Sequence, residues 1–292
     1  MAHRTLKIAH TARLLLLPYL LVTLLLVVIP ALGTLALAFT RYNAVQPPEW
    51  VGLQNFVKLA QSPLVAGSLR SSLLFLLAAV PLRLVIALVS ALLLQHHAYR
   101  RYRAAALLPT LIPESAYALL WLWILNPLYG PLNGLLSLFG LPPYNWLAEP
   151  ALAIAAIVLL LTFQFGEGFL IALSGLQTIP TDLYEAAKVD GASRAQIFWR
   201  ITLPLLVPWL LLMLFRDLLV SLQSTFTPSF MLTYGGPYYA TTFIPLLIYE
   251  LSFDLLDLGM AAALLVLTAL MLSLFAFGVW NLLSPQEARA DG

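Results

Sequence analysis

The chain has 292 residues and no cysteine. That excludes a disulfide framework, a thiolate metal site and a cysteine nucleophile. Charge is the second scarcity. Lys and Arg number 15 and Asp and Glu 13, so 10% of the residues are charged, where a soluble domain carries roughly 25%. Apolar types make up 61%, and the mean hydropathy is +0.91. Too few polar groups remain to cover a water-facing surface. A soluble enzyme, a disordered chain and a nucleic-acid binder are set aside on that ground. No G-x-x-x-x-G-K-[ST] phosphate loop is present, and no Ser/His/Asp arrangement. His3, His10, His96 and His97 have no carboxylates at metal-ligand spacing, so no metal site is expected.

The charges that exist leave long gaps. None lies between Arg13 and Arg41, and residues 71–99 hold one, Arg83. Residues 115–148, 218–249 and 258–286 hold none. A spanning helix needs about 20 predominantly apolar residues. These stretches are rich in Leu, Ala and Val without strict alternation, so they read as helices rather than barrel strands. Six spans are expected, near 14–39, 71–94, 105–125, 151–173, 203–230 and 261–283. The first has basic residues before it and Ala36-Leu37-Ala38 at its end, as a signal peptide would. It is far longer than an h-region of about 7–15 residues and reads as a retained helix.

Basic residues in the connections set the expected orientation. Arg4, Lys7, Arg13, Arg100, Arg101, Arg103, Lys188, Arg194, Arg200 and Arg289 fall on one side, and Arg41, Lys58 and Arg70 on the other. Both termini are therefore expected in the cytoplasm, in agreement with an even number of spans. The division is a segment at 1–13, a transmembrane domain at 14–283 and a tail at 284–292.

The most polar internal stretch, 180–200, has the local signals of two short helices. Pro180 or Thr181 starts the first, with Asp182 in the first turn, where the dipole favours an anion. Leu183, Ala186 and Ala187 share a face, low enough for another backbone to approach closely. Gly191 suits the left-handed position after a helix. Ser193 and Gln196 have the spacing of a capping box. A loop that only returned the chain would not need two capped helices, so this segment is a candidate docking element for a cytoplasmic partner. The bland alternative is an interfacial amphipathic turn.

Ionisable residues inside spans are functional candidates by default. Arg83 follows Pro81, Glu114 follows Pro113, and Glu167 lies between two glycines with Gln164 three residues earlier. Arg83 reads either as a partner for a buried carboxylate or substrate hydroxyl, or as a structural ion pair; Glu114 and Glu167 are open as its partners. Arg216 and Asp217 can pair with each other. Gln164, Glu167, Gln223, Asn126 and Tyr117 have the planar polar or aromatic chemistry that recognises sugars, and helix–helix hydrogen bonding explains each equally well. Gly235-Gly236-Pro237 reads as a turn with a backbone requirement.

At 185–204 the pattern becomes specific. Glu185-Ala186-Ala187, then Gly191, Ile201 and Leu203-Pro204 resemble the EAA loop of binding-protein-dependent ABC importer permeases. Gly52-Leu53-Gln54-Asn55-Phe56 resembles a segment after the first span of sugar permeases. Trp121 to Pro127, with Gly130 and Asn133, is similar to their third-span exit, and Leu232 to Thr241 to their "TxGGPxxAT" segment. The resemblance covers about residues 13–283. It implies an all-α type I importer permease fold of the carbohydrate uptake subfamily, in its maltose/glycerol-3-phosphate "first permease" class. It implies residence in the inner (plasma) membrane and four kinds of partner: an ATPase dimer, a second permease in a heterodimer, an extracytoplasmic binding protein and a sugar-type substrate. ATP and Mg would sit on the ATPase, and this chain would bind no cofactor.

In that family the 180–204 loop couples to the ATPase. By resemblance, Glu185, Ala186, Ala187, Asp190 and Gly191 are its coupling residues here. The expected translocation path holds Arg83, Glu114, Gln164, Glu167, Gln223, Gly235, Gly236 and Pro237. Arg83 departs from the small or apolar residues usual at its position. The alternative function is a secondary transporter driven by an ion gradient, with Glu114, Glu167 and Arg83 as a relay. A membrane enzyme is a third class, but it needs a nucleophile or metal cluster that the sequence does not display.

Overall fold

A computed structural model describes residues 16–283. Arg4, Lys7, Arg13, Arg289, His3 and His10 lie outside the described residues, as do the segments 1–13 and 284–292. Nearly all the regular structure is helical, and the chain divides into two compact units.

The first unit comprises residues 16–62 with 248–271. Helix α1, Leu16–Leu37, is apolar throughout and has none of its hydrophobic window buried. It runs through Pro30 by way of a π-helical turn at Leu24–Val28, since proline offers no N–H to the carbonyl one turn back. A short antiparallel pair follows, β1 at Thr40–Arg41 and β2 at Glu49–Trp50, with Thr40 opposite Trp50. Helix α2 spans Gln54–Gln61.

The residues of the Gly-Leu-x-Asn-Phe segment have structural work here. Gly52 turns the chain at φ +60. Asn55 is buried and donates to the carbonyls of Ala38 (2.9 Å) and Thr40 (2.8 Å). Phe56 meets Phe39 with ring centroids 5.3 Å apart. Gly259 packs directly on the Thr40 carbonyl, where a Cβ would collide.

The second unit comprises residues 63–247 with 272–283. Helix α3, Pro63–Leu94, is followed by α4 (Arg103–Leu111), α5 (Glu114–Ile124), α6 (Pro131–Leu138), α7 (Pro150–Thr162) and α8 (Gly166–Thr178). Then come α9 (Thr181–Val189), α10 (Arg194–Thr233) and α11 (Ile244–Tyr249). Helix α12, Leu258–Leu283, ends the described chain and is shared between the units.

Among the described residues, four helices are long and apolar enough to cross a membrane: α1, α3, α10 and α12 through Gly278. Two bent pairs bring the total to as many as six. The third and fourth expected spans are therefore not continuous. Helices α4 and α5 meet at 94° and α7 and α8 at 47°. The first break falls at Ile112, held extended at ψ 131 by the proline that follows it. The second brings Gly166 onto α4, where its N–H donates to Thr110 Oγ1 at 3.2 Å and a Cβ would clash. The two breaks thus meet.

Small residues allow the close crossings. A Cβ on Gly175 would lie 2.6 Å from Trp209 on α10, and one on Gly168 would lie 3.3 Å from both Ala87 and Met213. Ala87, Ala91, Phe169, Ala172, Leu206 and Met213 form the core at this end. Phe75, Ala79, Tyr117, Trp121, Ile157 and Phe243 form the core at the other. Asn133 locks the segment between α5 and α7. Its amide donates to the carbonyls of Pro127 and Tyr144 and its oxygen accepts from Trp146 Nε1 at 3.0 Å.

Candidate functional site

Helix α9 is short and capped at its C-terminus. Gly191 takes the left-handed conformation at φ +73. Its N–H donates to the Lys188 carbonyl (3.1 Å), and that of Ala192 to Ala187 (2.9 Å), the paired bonds of a Schellman turn. Ser193 then caps α10: the Gln196 N–H donates to Ser193 Oγ, and the Ser193 N–H donates to Gln196 Oε1 at 2.7 Å.

The structure departs from the expectation of two short helices. The second does not stop at Leu203-Pro204 but runs unbroken into the fifth span, as a 40-residue helix. A π-helical turn at Phe198–Thr202 absorbs the N–H that Pro204 lacks. At 1.5 Å per residue the helix is about 60 Å long, twice the hydrocarbon thickness of about 30 Å. The helix is thus longer than the apolar layer is thick, and Arg194, Gln196 and Arg200 make its first turns its polar end.

Tyr184 and Ala187 face inward from α9, and the Tyr184 hydroxyl is 3.2 Å from Thr202 Oγ1 on α10. Glu185, Ala186 and Asp190 are exposed, as are Leu183 (43%) and Val189 (88%). The face expected to hold Leu183, Ala186 and Ala187 is thus split, because Tyr184 anchors the helix and turns Ala187 toward the body. Glu185 and Lys188 line a cleft of about 790 Å³ with Gln95, His96, Gln177 and Arg194.

Inside the membrane region four charges alternate in sign across three helices. Arg83 Nη1 on α3 lies 3.7 Å from Asp217 Oδ1 on α10 and donates to Ser221 Oγ at 3.2 Å. Arg216 Nη1 donates to the same Asp217 oxygen at 2.8 Å, and Arg216 Nη2 pairs with Glu167 on α8. Exposure rises along this series. Arg83 and Asp217 are buried, Arg216 is partly open and Glu167 is exposed. Arg83 therefore does not line an open path in this structure. Its partner is Asp217 rather than either glutamate.

Other expected path residues are dispersed. Glu114 accepts from Thr227 Oγ1 at 2.9 Å, beside the α4–α5 break. Gln164 lies in the α7–α8 break, half-buried, and Gln223 is exposed on α10. Asn126 is taken up by its own turn, accepting from the N–H groups of Leu128 and Tyr129. Tyr117 is buried and donates to the Leu160 carbonyl at 3.1 Å.

Gly235, Gly236 and Pro237 belong to a loop held from beneath by buried hydroxyls. Thr241 Oγ1 donates to the Gly236 carbonyl (2.7 Å) and lies 2.6 Å from Thr233 Oγ1, and Thr242 Oγ1 donates to Gly235. Ser229 Oγ donates to the Thr241 carbonyl, and Ser72 Oγ accepts from the Ile244 N–H. Ser72, Ser229, Thr241 and Thr242 are all buried. Of these hydroxyls, Thr233 and Thr241 belong to the segment singled out in the sequence, whereas Ser72, Ser229 and Thr242 did not stand out. The signal available was four Ser and Thr at 229, 233, 241 and 242, around the two glycines.

The broken spans, the long helix and the capped segment before it define an all-helical, multi-span fold. A chain of a bacterial ABC transporter that imports the acidic polysaccharide alginate superposes with a TM-score of 0.80. It is 24% identical, with 96% of each chain covered. A model of the binding-protein-dependent transport system inner membrane component family matches residues 14–285. The chain belongs to that family. The trehalose/maltose transport permease MalF of Thermococcus litoralis is 36% identical over 264 residues, 89% of each chain. The sulfoquinovosyl glycerol transport permease SmoG of Agrobacterium fabrum is 35% identical over 223 residues, 75% of this chain and 72% of that one. The chain is thus a non-catalytic subunit of an inner-membrane transport system.

Proposed function

We propose that this chain is the sugar- or polyol-carrying permease of an ABC importer, of the maltose/glycerol-3-phosphate first-permease type. An extracytoplasmic binding protein delivers the substrate, a different second permease completes the pore, and an ATPase dimer docks on α9. Both termini lie in the cytoplasm, in keeping with the bias of basic residues. The observation that carries the coupling role is the continuity from α9 into α10. A capped helix with exposed Glu185, Ala186 and Val189 is joined by one bonded turn to an unbroken membrane helix.

Such a joint transmits a rigid-body displacement. The Arg216-Asp217 pair sits on the same helix, about 33 Å beyond Arg194 at 1.5 Å per residue. Closure of the ATPase dimer would push α9 and tilt α10 against α3 and α8, altering the charge series that joins the three. Access then alternates between the two sides as the bundle rocks. A secondary transporter with Glu114, Glu167 and Arg83 as its relay is the weaker account. Glu114 is bonded to Thr227 and Arg83 to Asp217 rather than to either glutamate, and an arginine does not release a proton in proteins.

Glu185→Lys and Gly191→Val test the docking role. The variants should reach the membrane in normal amount, lose the copurifying ATPase and lose transport. Full transport by either, with no ATPase subunit copurifying from wild type, would sink the coupling claim.

A further inference from the structure

A second cavity, of about 650 Å³, lies at the opposite end of α3 from the α9 cleft. The residues lining the two on that helix, Leu74 and Leu92, are about 27 Å apart along its axis at 1.5 Å per residue. If α9 meets the cytoplasmic ATPase, this cavity opens on the outer side. Its wall brings together Arg70, Ser71 and Gly67 of α3, Pro150 and Ile154 of α7, and Tyr238 and Tyr239 of the clamped loop.

Both tyrosines sit in the left-handed region, at φ +50 and +61, and are 90% and 66% exposed. A bulky residue with positive φ is an outlier that survives only where its surroundings impose it. The loop that carries them is held by the hydroxyls of Ser229, Thr233, Thr241 and Thr242, of which all but Thr233 are buried. An aromatic that only anchors a span end at the membrane interface needs no such backbone. Among the described residues neither phenol has a hydrogen-bond partner, and Arg70 has no carboxylate partner. The other arginine on that expected side, Arg41, is paired with Glu49 at 3.4 Å.

We propose that this cavity is an outer binding site for a saccharide bearing a carboxylate, met on entry to the permease. The aromatic faces of Tyr238 and Tyr239 stack on pyranose rings, Ser71 takes a ring hydroxyl, and the Arg70 guanidinium holds the carboxylate through its two-pronged donor geometry. The proposal rests on the sugar-permease reading and deepens it by naming the charge of the substrate.

The test uses the importer assembled with its partner subunits in lipid nanodiscs, with the binding protein left out. Trigalacturonate and maltotriose are the ligands, and binding is read by saturation-transfer NMR and by titration. Trigalacturonate should bind wild type at least tenfold more tightly than maltotriose. Arg70→Gln should erase that preference, and Tyr239→Ala should weaken trigalacturonate tenfold or more. Tyr239→Phe, which keeps the ring, should bind within about threefold of wild type. Equal binding of the two trisaccharides by wild type overturns the proposal, as does an Arg70→Gln variant with the preference intact. So does no binding at all. A second preparation with the binding protein added back reads its capture, and substitutions that alter only that capture make the loop a protein-docking surface and overturn the proposal. ATPase copurification, read on the same preparations, separates the cases. If it persists while the outer site fails, only the site is lost; if it is absent from wild type, the permease reading falls.

Discussion

Two arginines converge on one buried carboxylate oxygen at Asp217, and that arrangement dictates what single substitutions do. Removing one partner from a buried pair leaves the other charge uncompensated, at a cost of about 3–5 kcal/mol. Asp217→Asn strips the counter-charge from buried Arg83 and should lower thermal stability in detergent by that order, whereas Arg83→Met leaves Asp217 its closer partner Arg216 and should cost less. The double variant Arg83→Met, Asp217→Leu should recover most of the loss, because Arg216 keeps Glu167. A double variant no more stable than the sum of the singles would deny the coupling. Glu167 differs because it is exposed. An exposed ion pair contributes roughly 0–1 kcal/mol, so Glu167→Ala should leave the melting temperature within a few degrees. Its expected effect is on transport rate or specificity, and unchanged values of both would remove it from the path. Arg83 and Asp217 were visible in the sequence as costly charges, but their pairing was not. They are 134 positions apart in the chain and are brought together by the packing of α3 on α10.

Helices were legible where a local rule governs them. Gly191, Ser193 and Gln196 act within a few residues of one another, so the turn after α9 could be read from their order. Ser193→Ala should cost about 1 kcal/mol of local stability, the usual loss of a cap, and should raise amide exchange at Gln196 and Ile197. Gly175→Val is the severe case at this scale. The added carbons meet Trp209, so α8 and α10 must separate. Expected results are a large drop in melting temperature and low yield, while Gly134→Ala, in open space on α6, should behave as wild type. The breaks in the third and fourth spans were less legible. Pro113 causes the first, yet that span was expected to be continuous. The second has no proline, and depends on Gly166 reaching Thr110 across the bundle.

For the molecule as a whole, the absence of cysteine offers a clean test of orientation. Ser193→Cys and Ser137→Cys each place a single thiol at an exposed position in the second unit. An impermeant maleimide should label the first only from the cytoplasmic side and the second only from outside. Labelling of both from one side would contradict the expected topology.

The membrane class, the spans' approximate places and the capped segment at 181–196 follow from the sequence by itself. Hydropathy, charge placement and capping act over one helix or less. The tertiary structure decided which charges pair, which polar groups are consumed by turns, and where cavities open. Arg83 joined Asp217 rather than a glutamate, and Asn126 and Tyr117 turned to structural bonds. Tyr238 and Tyr239 came beside Arg70 because buried hydroxyls clamp a loop against the end of α3. Those outcomes depend on the distance between residues far apart in the chain, and packing alone sets that distance.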